Sequence, residues 1–92
     1  MDNLTFGEAI VLMKAGHTVA RAGWNGKGMF IFIRKGRKIK NVEEGSEMVR
    51  GTGKDFFYSR DHICMRDCEG KCIVGWLASQ IDMLAEDWEV VD

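Results

Sequence analysis

Residues 21–28 read RAGWNGKG, and this stretch decides how the rest of the chain is arranged. Three glycines in eight residues give the backbone access to the conformations of a tight, irregular turn. The pair Asn25 and Gly26 is typical of the turn in a β-hairpin. Apolar residues on both sides therefore predict two strands joined by this turn, at residues 18–21 and 29–33.

The same turn carries groups that can bind a ligand. Trp24 offers a flat ring and Asn25 offers hydrogen-bond donors and an acceptor, while Arg21 and Lys27 offer positive charge. Loops held by a rigid scaffold often carry binding groups. A second interpretation stays open on these residues alone, namely a surface hairpin in which Trp24 only anchors the core.

Length and charge limit the function classes. The 92 residues predict a single domain that spans residues 1–92. Thirteen cations and fourteen anions give a net charge of −1, so no overall basic field exists and we expect no DNA or RNA partner. The chain start does not resemble a signal peptide and no apolar run could span a bilayer, so no membrane partner is expected.

The N-terminal region predicts a helix. Thr5 and Glu8 form a capping-box pattern, and apolar residues at helical spacing follow it, which predicts a helix over residues 6–15 that ends at Gly16. Residues 29–33, in contrast, are apolar on both faces of a strand. So small a chain can cover one face with the helix, and we expect a second copy to cover the other.

The middle of the chain is harder to interpret. Residues 34–40 are basic, and Gly36 predicts a hairpin turn within them. Residues 41–60 predict a long loop, interrupted by the aromatic residues 56–58, which we expect to be buried.

The last third predicts a second hairpin and a short helix. Strands at residues 61–66 and 71–74 flank a turn, and Trp76 closes the returning strand. Ser79 caps a helix that runs to about residue 85 and is followed by a strand at 88–91. The whole pattern predicts an α+β fold, a small, mostly antiparallel sheet with an N-terminal helix and a short C-terminal helix.

Metal binding and catalysis are not indicated. Cys64, Cys68 and Cys72 are four residues apart, which is not the spacing of a zinc knuckle, and a hairpin would separate them. We therefore expect no metal and no cofactor, and interpret Cys64 and Cys72 as small strand residues. An odd number of cysteines argues against a disulfide framework and favours a reducing cytosol. A cysteine nucleophile with a histidine base has no supporting spacing.

The remaining polar signal lies beside two tryptophans. Asp82 and Asp87 could act as acid and base, but helix capping and surface charge explain them better. Trp24 precedes a carboxamide, and Trp76 is followed by the polar side chains of Ser79, Gln80 and Asp82. Aromatic rings beside carboxamides suit a heterocycle with hydroxyl groups, and Arg21 and Lys27 could bind phosphates. This pattern favours a protein that binds a nucleotide-like ligand without catalysing a reaction on it.

These residues also carry a family resemblance, over the first and last thirds of the chain. The sequence resembles the second type of Thoeris anti-defence protein, a small phage-encoded domain. The matching residues are Phe6, Glu8, Ala9, Ile10 and Gly16, then Arg21, Gly23, Trp24, Asn25, Gly26 and Lys27, and finally Trp76, Ser79, Gln80, Asp82, Met83, Leu84, Ala85, Asp87 and Trp88.

The resemblance implies a function. Members of this family bind the cyclic ADP-ribose isomer made by the TIR protein of a Thoeris system, do not cleave it, and form homotetramers with pockets at subunit contacts. A cytoplasmic protein of the infected bacterium is thus implied. The implied pocket residues are Trp24, Asn25, Trp76, Ser79, Gln80 and Asp82. The alternatives that the residues leave open are a cyclic-nucleotide-cleaving enzyme and a protein-binding module.

Overall fold

The computed structural model describes residues 1–40 and 47–92. The elements, in chain order, are α1 (Phe6–Lys14), β1 (Val19–Arg21), β2 (Phe30–Arg34), β3 (Lys38–Lys40), a 3-10 turn (Glu47–Val49), β4 (Phe56–Tyr58), β5 (His62–Arg66), β6 (Cys72–Val74), α2 (Gln80–Leu84) and β7 (Trp88–Val90).

The main sheet has five strands in the order β6-β5-β2-β1-β7, and every neighbouring pair is antiparallel. Strands β3 and β4 form a separate two-stranded sheet, which we call the ribbon. The predicted α+β architecture, with one helix before the sheet and a short one late in the chain, is confirmed. Residues 21–28 join β1 to β2, with Val19 opposite Ile31.

Local signals in the sequence determine where both helices begin. In α1 the Thr5 hydroxyl accepts from the Glu8 N–H at 3.2 Å, and the Glu8 carboxylate accepts from the Thr5 N–H at 3.0 Å. Ser79 and Asp82 form the same capping box at α2, as the predicted cap at Ser79 requires. These reciprocal bonds satisfy amides that a helix start otherwise leaves unpaired.

The core lies between α1 and one face of the sheet. On β2, Ile31 points to this face and is fully buried, opposite Val19 on β1 and Met65 on β5. The indole of Trp88 fills the space between helix and sheet and lies 5.1 Å from the Phe6 ring, centroid to centroid. The residues of this core are Ala9, Met13, Val19, Ile31, Met65 and Trp88.

The opposite face of β2 is only partly covered by its own chain. Phe30 and Phe32 alternate with Ile31, so they point away from α1, and both remain half-buried with ring centroids 5.9 Å apart. The expectation that both faces are apolar is thus correct. What covers the second face within an assembly remains a prediction.

The predicted hairpin at Gly36 is wrong. Strand β2 pairs with β1 and β5, whereas β3 pairs with β4. Gly36 allows its backbone to lie close to that of Ser59 and Arg60. A Cβ at this position would collide with the Ser59 carbonyl oxygen and lie 3.1 Å from Arg60 backbone atoms. The glycine lets the chain leave the main sheet and start the ribbon.

The prediction of a long loop over residues 41–60 is also wrong for the residues that the structure describes. They include the 3-10 turn and β4, while residues 41–46 lie outside the described residues. The aromatic residues of β4 form a strand because β3 offers them a partner. Phe56 and Phe57 are half-buried, but Tyr58 is 71% exposed, contrary to the expected burial.

The second hairpin, β5 to β6, is confirmed, and Trp76 follows it by donating its N–H to the Ile63 carbonyl at 2.7 Å. Across residues 1–40 and 47–92, neither helix has the length and apolar character that crossing a membrane would require.

Candidate functional site

The turn of residues 21–28 is held in place by the C-terminal part of the chain. The Asp87 carboxylate accepts from the Gly23 N–H at 2.8 Å, and the Trp24 N–H donates to the Arg21 carbonyl at 3.2 Å. A Cβ on Gly23 would lie 2.7 Å from the Asp87 carboxylate, so a larger residue there would have to displace this carboxylate from its present position. The turn and β7 are therefore one structural unit.

Arg21 connects this unit to α2. Its Nη1 donates to Asp82 Oδ1 at 2.9 Å, and its Nε donates to Asp87 Oδ1 at 2.8 Å. The side chain of Arg21 is 17% exposed, that of Asp82 is 14% exposed and that of Asp87 is 31% exposed. Two carboxylates thus neutralise one guanidinium, which makes Arg21 a structural anchor for the turn more than a free cation for a ligand.

Trp24 lies in the middle of an aromatic cluster. Its ring meets Trp88 edge to face at 5.2 Å and Trp76 at 6.1 Å between centroids. Its Nε1 donates to Asp82 Oδ1 at 3.2 Å. Trp24 remains partly exposed, so it serves the packing and still has surface for a ligand.

The carboxyl groups of this network are held in the charged form. Burial raises the pKa of Asp82, but hydrogen bonds from Arg21, Trp24 and Ser79 outweigh it, and the net shift is downward. The hydrogen bond from Arg21 lowers the pKa of Asp87, and both carboxylates raise the pKa of Arg21. The site therefore stays an ion-paired network at neutral pH.

A pH dependence of stability follows from these shifts. The pKa of the Asp92 carboxyl is also lowered, to about 2, mainly by the Thr18 N–H and then by His17. Carboxyl groups whose pKa is lower when folded bind protons more readily in the unfolded chain, so stability falls as the pH decreases from about 5 towards the folded pKa values. We expect a lower urea midpoint at pH 3 than at pH 6. Asp92→Asn should shrink that difference, and an equal or higher midpoint at pH 3 would contradict the expected direction.

Five of the eight predicted site residues lie together in the structure. These are Arg21, Trp24, Trp76, Ser79 and Asp82.

The other three, Asn25, Lys27 and Gln80, are exposed. Within residues 1–40 and 47–92, none of their side chains makes a hydrogen bond or an ion pair. Their polar groups are thus available to a ligand.

A cavity of about 400 Å³, which we call the turn groove, runs along the turn on the side away from α1. Three groove residues that could contact a ligand, Phe30, Arg66 and Glu89, were not among the candidates from the sequence. The Arg66 guanidinium lies 4.4 Å from the Phe30 ring centroid and donates to the Gly28 carbonyl at 3.1 Å. The groove is lined by Ala20, Arg21, Ala22, Trp24, Gly26, Lys27, Gly28, Met29, Phe30, Arg66, Glu89 and Val91.

The composition of the turn groove defines its chemistry. Trp24 and Phe30 provide aromatic surface, and Lys27 and Arg66 provide cations. Glu89 provides a carboxylate that can accept hydrogen bonds from hydroxyl groups. Such a groove can hold a ring system that carries hydroxyl and phosphate groups. No nucleophile paired with a base lines it in the parts of the chain that the structure describes.

The cysteines are placed largely as predicted. Cys64 is buried on β5, and all three cysteines are free thiols. Cys72 is the first residue of β6, so it is a strand residue as interpreted, but it is exposed because β6 is an edge strand. Among residues 1–40 and 47–92, no three His, Cys, Asp or Glu side chains could together hold a metal ion.

Fold and site together define a small α+β domain with an aromatic, cationic groove beside a glycine-rich turn. Comparison with known proteins assigns the domain: the model of the Thoeris anti-defense 2-like domain matches residues 4–91. The chain is also 36% identical to Thoeris anti-defense 2 of Bacillus phage SP01, over 96% of this chain and 94% of the relative. The chain therefore belongs to the Thoeris anti-defense 2-like family, as the resemblance predicted.

Proposed function

We propose that this protein binds a cyclic ADP-ribose-type immune signal and sequesters it without cleaving it, which keeps the Thoeris effector inactive. The observation that carries the proposal is the turn groove, where partly exposed aromatic rings lie beside two cations. Membership of an anti-defence family supplies the biological setting.

The residues of the site would have different roles in binding the ligand. Trp24 and Phe30 would contact the base, and Lys27 and Arg66 would bind the diphosphate. Arg21 and Asp82 would position Trp24, because their charges are already paired with each other. Asn25, Ser79 and Gln80 do not line the groove, but they would hydrogen-bond ribose hydroxyls or a base edge that extends beyond it. Trp76 would support the ring of Trp24.

Binding without cleavage is the simplest function of this groove. Strand cleavage or ring hydrolysis needs a general base or nucleophile aimed at the scissile bond. The carboxylates Asp82 and Asp87 accept hydrogen bonds from Arg21 and have lowered pKa values, which makes both poor general bases. Among the described residues that line the groove, Glu89 is the one carboxylate that could supply this chemistry.

We also propose that the protein assembles as a homotetramer and acts in the cytoplasm of the host bacterium. Two surfaces are suited to self-association. One is the half-buried face of β2 that carries Phe30 and Phe32. The other is a set of exposed apolar side chains on β6, on α2 and between them: Ile73, Val74, Leu77, Ile81, Met83 and Leu84. Exposed apolar side chains in such number are typical of interaction sites.

The oligomer is directly measurable. Light scattering at micromolar concentration should give a mass of about four times the 10.4 kDa of one chain. Ile81 and Leu84 are 74% and 81% exposed, so Ile81→Glu with Leu84→Glu should leave the fold intact and reduce the mass. Lys14→Glu with Lys71→Glu, exposed positions elsewhere, is the control. A monomeric mass for the unmodified protein would refute the assembly.

Calorimetry tests the binding proposal. The protein is titrated with a panel of cyclic ADP-ribose isomers, cyclic dinucleotides and linear ADP-ribose. We expect one cyclic ADP-ribose isomer to bind at nanomolar concentration, roughly −12 kcal/mol, and linear ADP-ribose to bind far more weakly. Lys27→Ala with Arg66→Ala should reduce that affinity, whereas Lys14→Ala with Lys71→Ala should not. Equal affinity for linear and cyclic compounds would argue against the proposed ligand class.

A further inference from the structure

We propose that the ribbon of β3 and β4 binds single-stranded nucleic acid, through a surface separate from the turn groove. The net charge of −1 led us to expect no DNA or RNA partner, but a net charge does not show how the charges are distributed. Positive charge is concentrated on β3 and on the residues 34–37 that lead into it.

Among the described residues, the positive charge of residues 34–40 is largely unpaired. Residues 34–40 contain five cations and no acid, and all five cationic side chains are exposed. Within the described parts of the chain, Lys35 with Asp61, at 4.0 Å, is the one ion pair that these cations make. Arg21, in contrast, has two carboxylates at 2.8–2.9 Å. Unpaired cations so close together repel one another, and a polyanion would relieve that repulsion.

The strand register places these cations beside aromatic rings. Lys38 lies opposite Tyr58 and Lys40 opposite Phe56, so all four side chains share one face of the ribbon. Lys38 Nζ lies 4.2 Å from the Phe56 ring centroid, and the Phe56 and Tyr58 rings are 5.8 Å apart. Tyr58 is 71% exposed, which makes its ring available for stacking. Aromatic rings interleaved with cations are the usual surface for single strands.

An open groove extends this face. It has a volume of about 670 Å³ and is lined by Gly36, Arg37, Lys38, Tyr58, Ser59, Arg60 and Asp61. The backbones of β3 and β4 stay in contact here, since the Ser59 N–H donates to the Arg37 carbonyl at 2.8 Å. A base stacked on Tyr58 would lie at the rim of this groove near Arg60, with Lys38 and Lys40 on the same face for the flanking phosphates. The one carboxylate of the groove, Asp61, is already paired with Lys35.

Single strands fit this surface better than duplex DNA or an acidic peptide. Lys38 and Lys40 are two residues apart on a strand, about 6.7 Å, which suits successive phosphates of an extended chain. A duplex keeps its bases stacked inside, so Tyr58 would have no ring to contact. An acidic peptide would use the cations but gain nothing from the exposed ring.

Fluorescence anisotropy with a fluorescein-labelled 20-nucleotide dT or U strand and the full chain tests the inference. We expect binding at roughly 1–100 μM in 50 mM salt, with a log–log salt slope of about −3 for four phosphates. Lys38→Glu with Lys40→Glu should weaken binding by at least tenfold. The equally charged control, Lys14→Glu with Lys71→Glu, should weaken it about twofold or less. Tyr58→Ala should weaken binding by about fivefold or more without changing the salt slope.

The outcomes separate the alternatives. Equal losses in the two charge-reversed pairs would mean that net charge alone attracts the strand, which overturns the inference. Tighter binding to a duplex of the same length, or to an oligoglutamate of the same charge, would overturn it too. Melting temperature and mass, measured on each variant, ensure that a loss of binding is not a loss of fold or assembly. Cyclic ADP-ribose affinity should be unaffected by the ribbon variants.

Discussion

Trp24→Ala is expected to weaken binding of the cyclic ADP-ribose-type signal by tenfold to a hundredfold. A stacked aromatic contributes roughly 1–3 kcal/mol per base, and association entropy leaves little surplus to replace it. The variant should also melt at a lower temperature, because Trp24 packs edge to face on Trp88 and donates to Asp82. Calorimetry at 25 °C and a melting curve on the same sample measure both effects.

Two further variants separate ligand contact from scaffold. Trp24→Phe keeps an aromatic ring but loses the indole N–H, so it should retain more affinity than Trp24→Ala. Asn25 is exposed and has no partner in the described residues, so Asn25→Ala should reduce affinity and leave the melting temperature unchanged. If Trp24→Ala binds as tightly as the unmodified protein while melting lower, Trp24 is scaffold and the ligand lies elsewhere.

Asp82→Ala is expected to have the largest effect on stability. The carboxylate accepts hydrogen bonds from Arg21 and Trp24 and caps α2 by accepting from the Ser79 N–H. Removing one partner from a buried ion pair lowers the free energy of unfolding by about 3–5 kcal/mol. We expect about 3 kcal/mol here, because this pair is partly exposed. For a chain of this size the melting temperature should fall by roughly 10–20 °C.

Glu86→Ala provides the control for Asp82→Ala. Glu86 is an exposed acid between α2 and β7, and within the described residues it makes no hydrogen bond or ion pair. Its removal should change the melting temperature by about 2 °C or less. Similar losses in both variants would show that the network around Arg21 contributes little to the fold.

Much of the fold could be predicted because its signals are local. Thr5 with Glu8 and Ser79 with Asp82 each lie within one helical turn, and both capping boxes form. The ribbon could not be predicted because its cause is not local. Gly36 looks like a turn residue, but its role depends on contact with Ser59, 23 positions later. Strand β3 likewise pairs with β4, which lies far along the chain.

Several residues of the candidate site could be predicted from the sequence, but the role of each could not. The two tryptophans do meet, and the rings of Trp24 and Trp76 are in contact. Arg21 has the appearance of a phosphate ligand in the sequence, whereas its partners, 61 and 66 positions away, make it an anchor. Arg66 joins the groove only because the β2–β5 register places it opposite Phe30, which no local pattern reveals.

Our proposal is that the protein binds the signal and holds it without changing it chemically. The most direct measurement incubates the protein with an equimolar cyclic ADP-ribose isomer, removes unbound compound by filtration, denatures the protein with heat and analyses the released small molecules by liquid chromatography and mass spectrometry. We predict that the compound is retained by the folded protein and recovered unchanged after denaturation, even after hours of incubation. Recovery of a linear or hydrolysed product, or a failure to retain the compound, would contradict the claim.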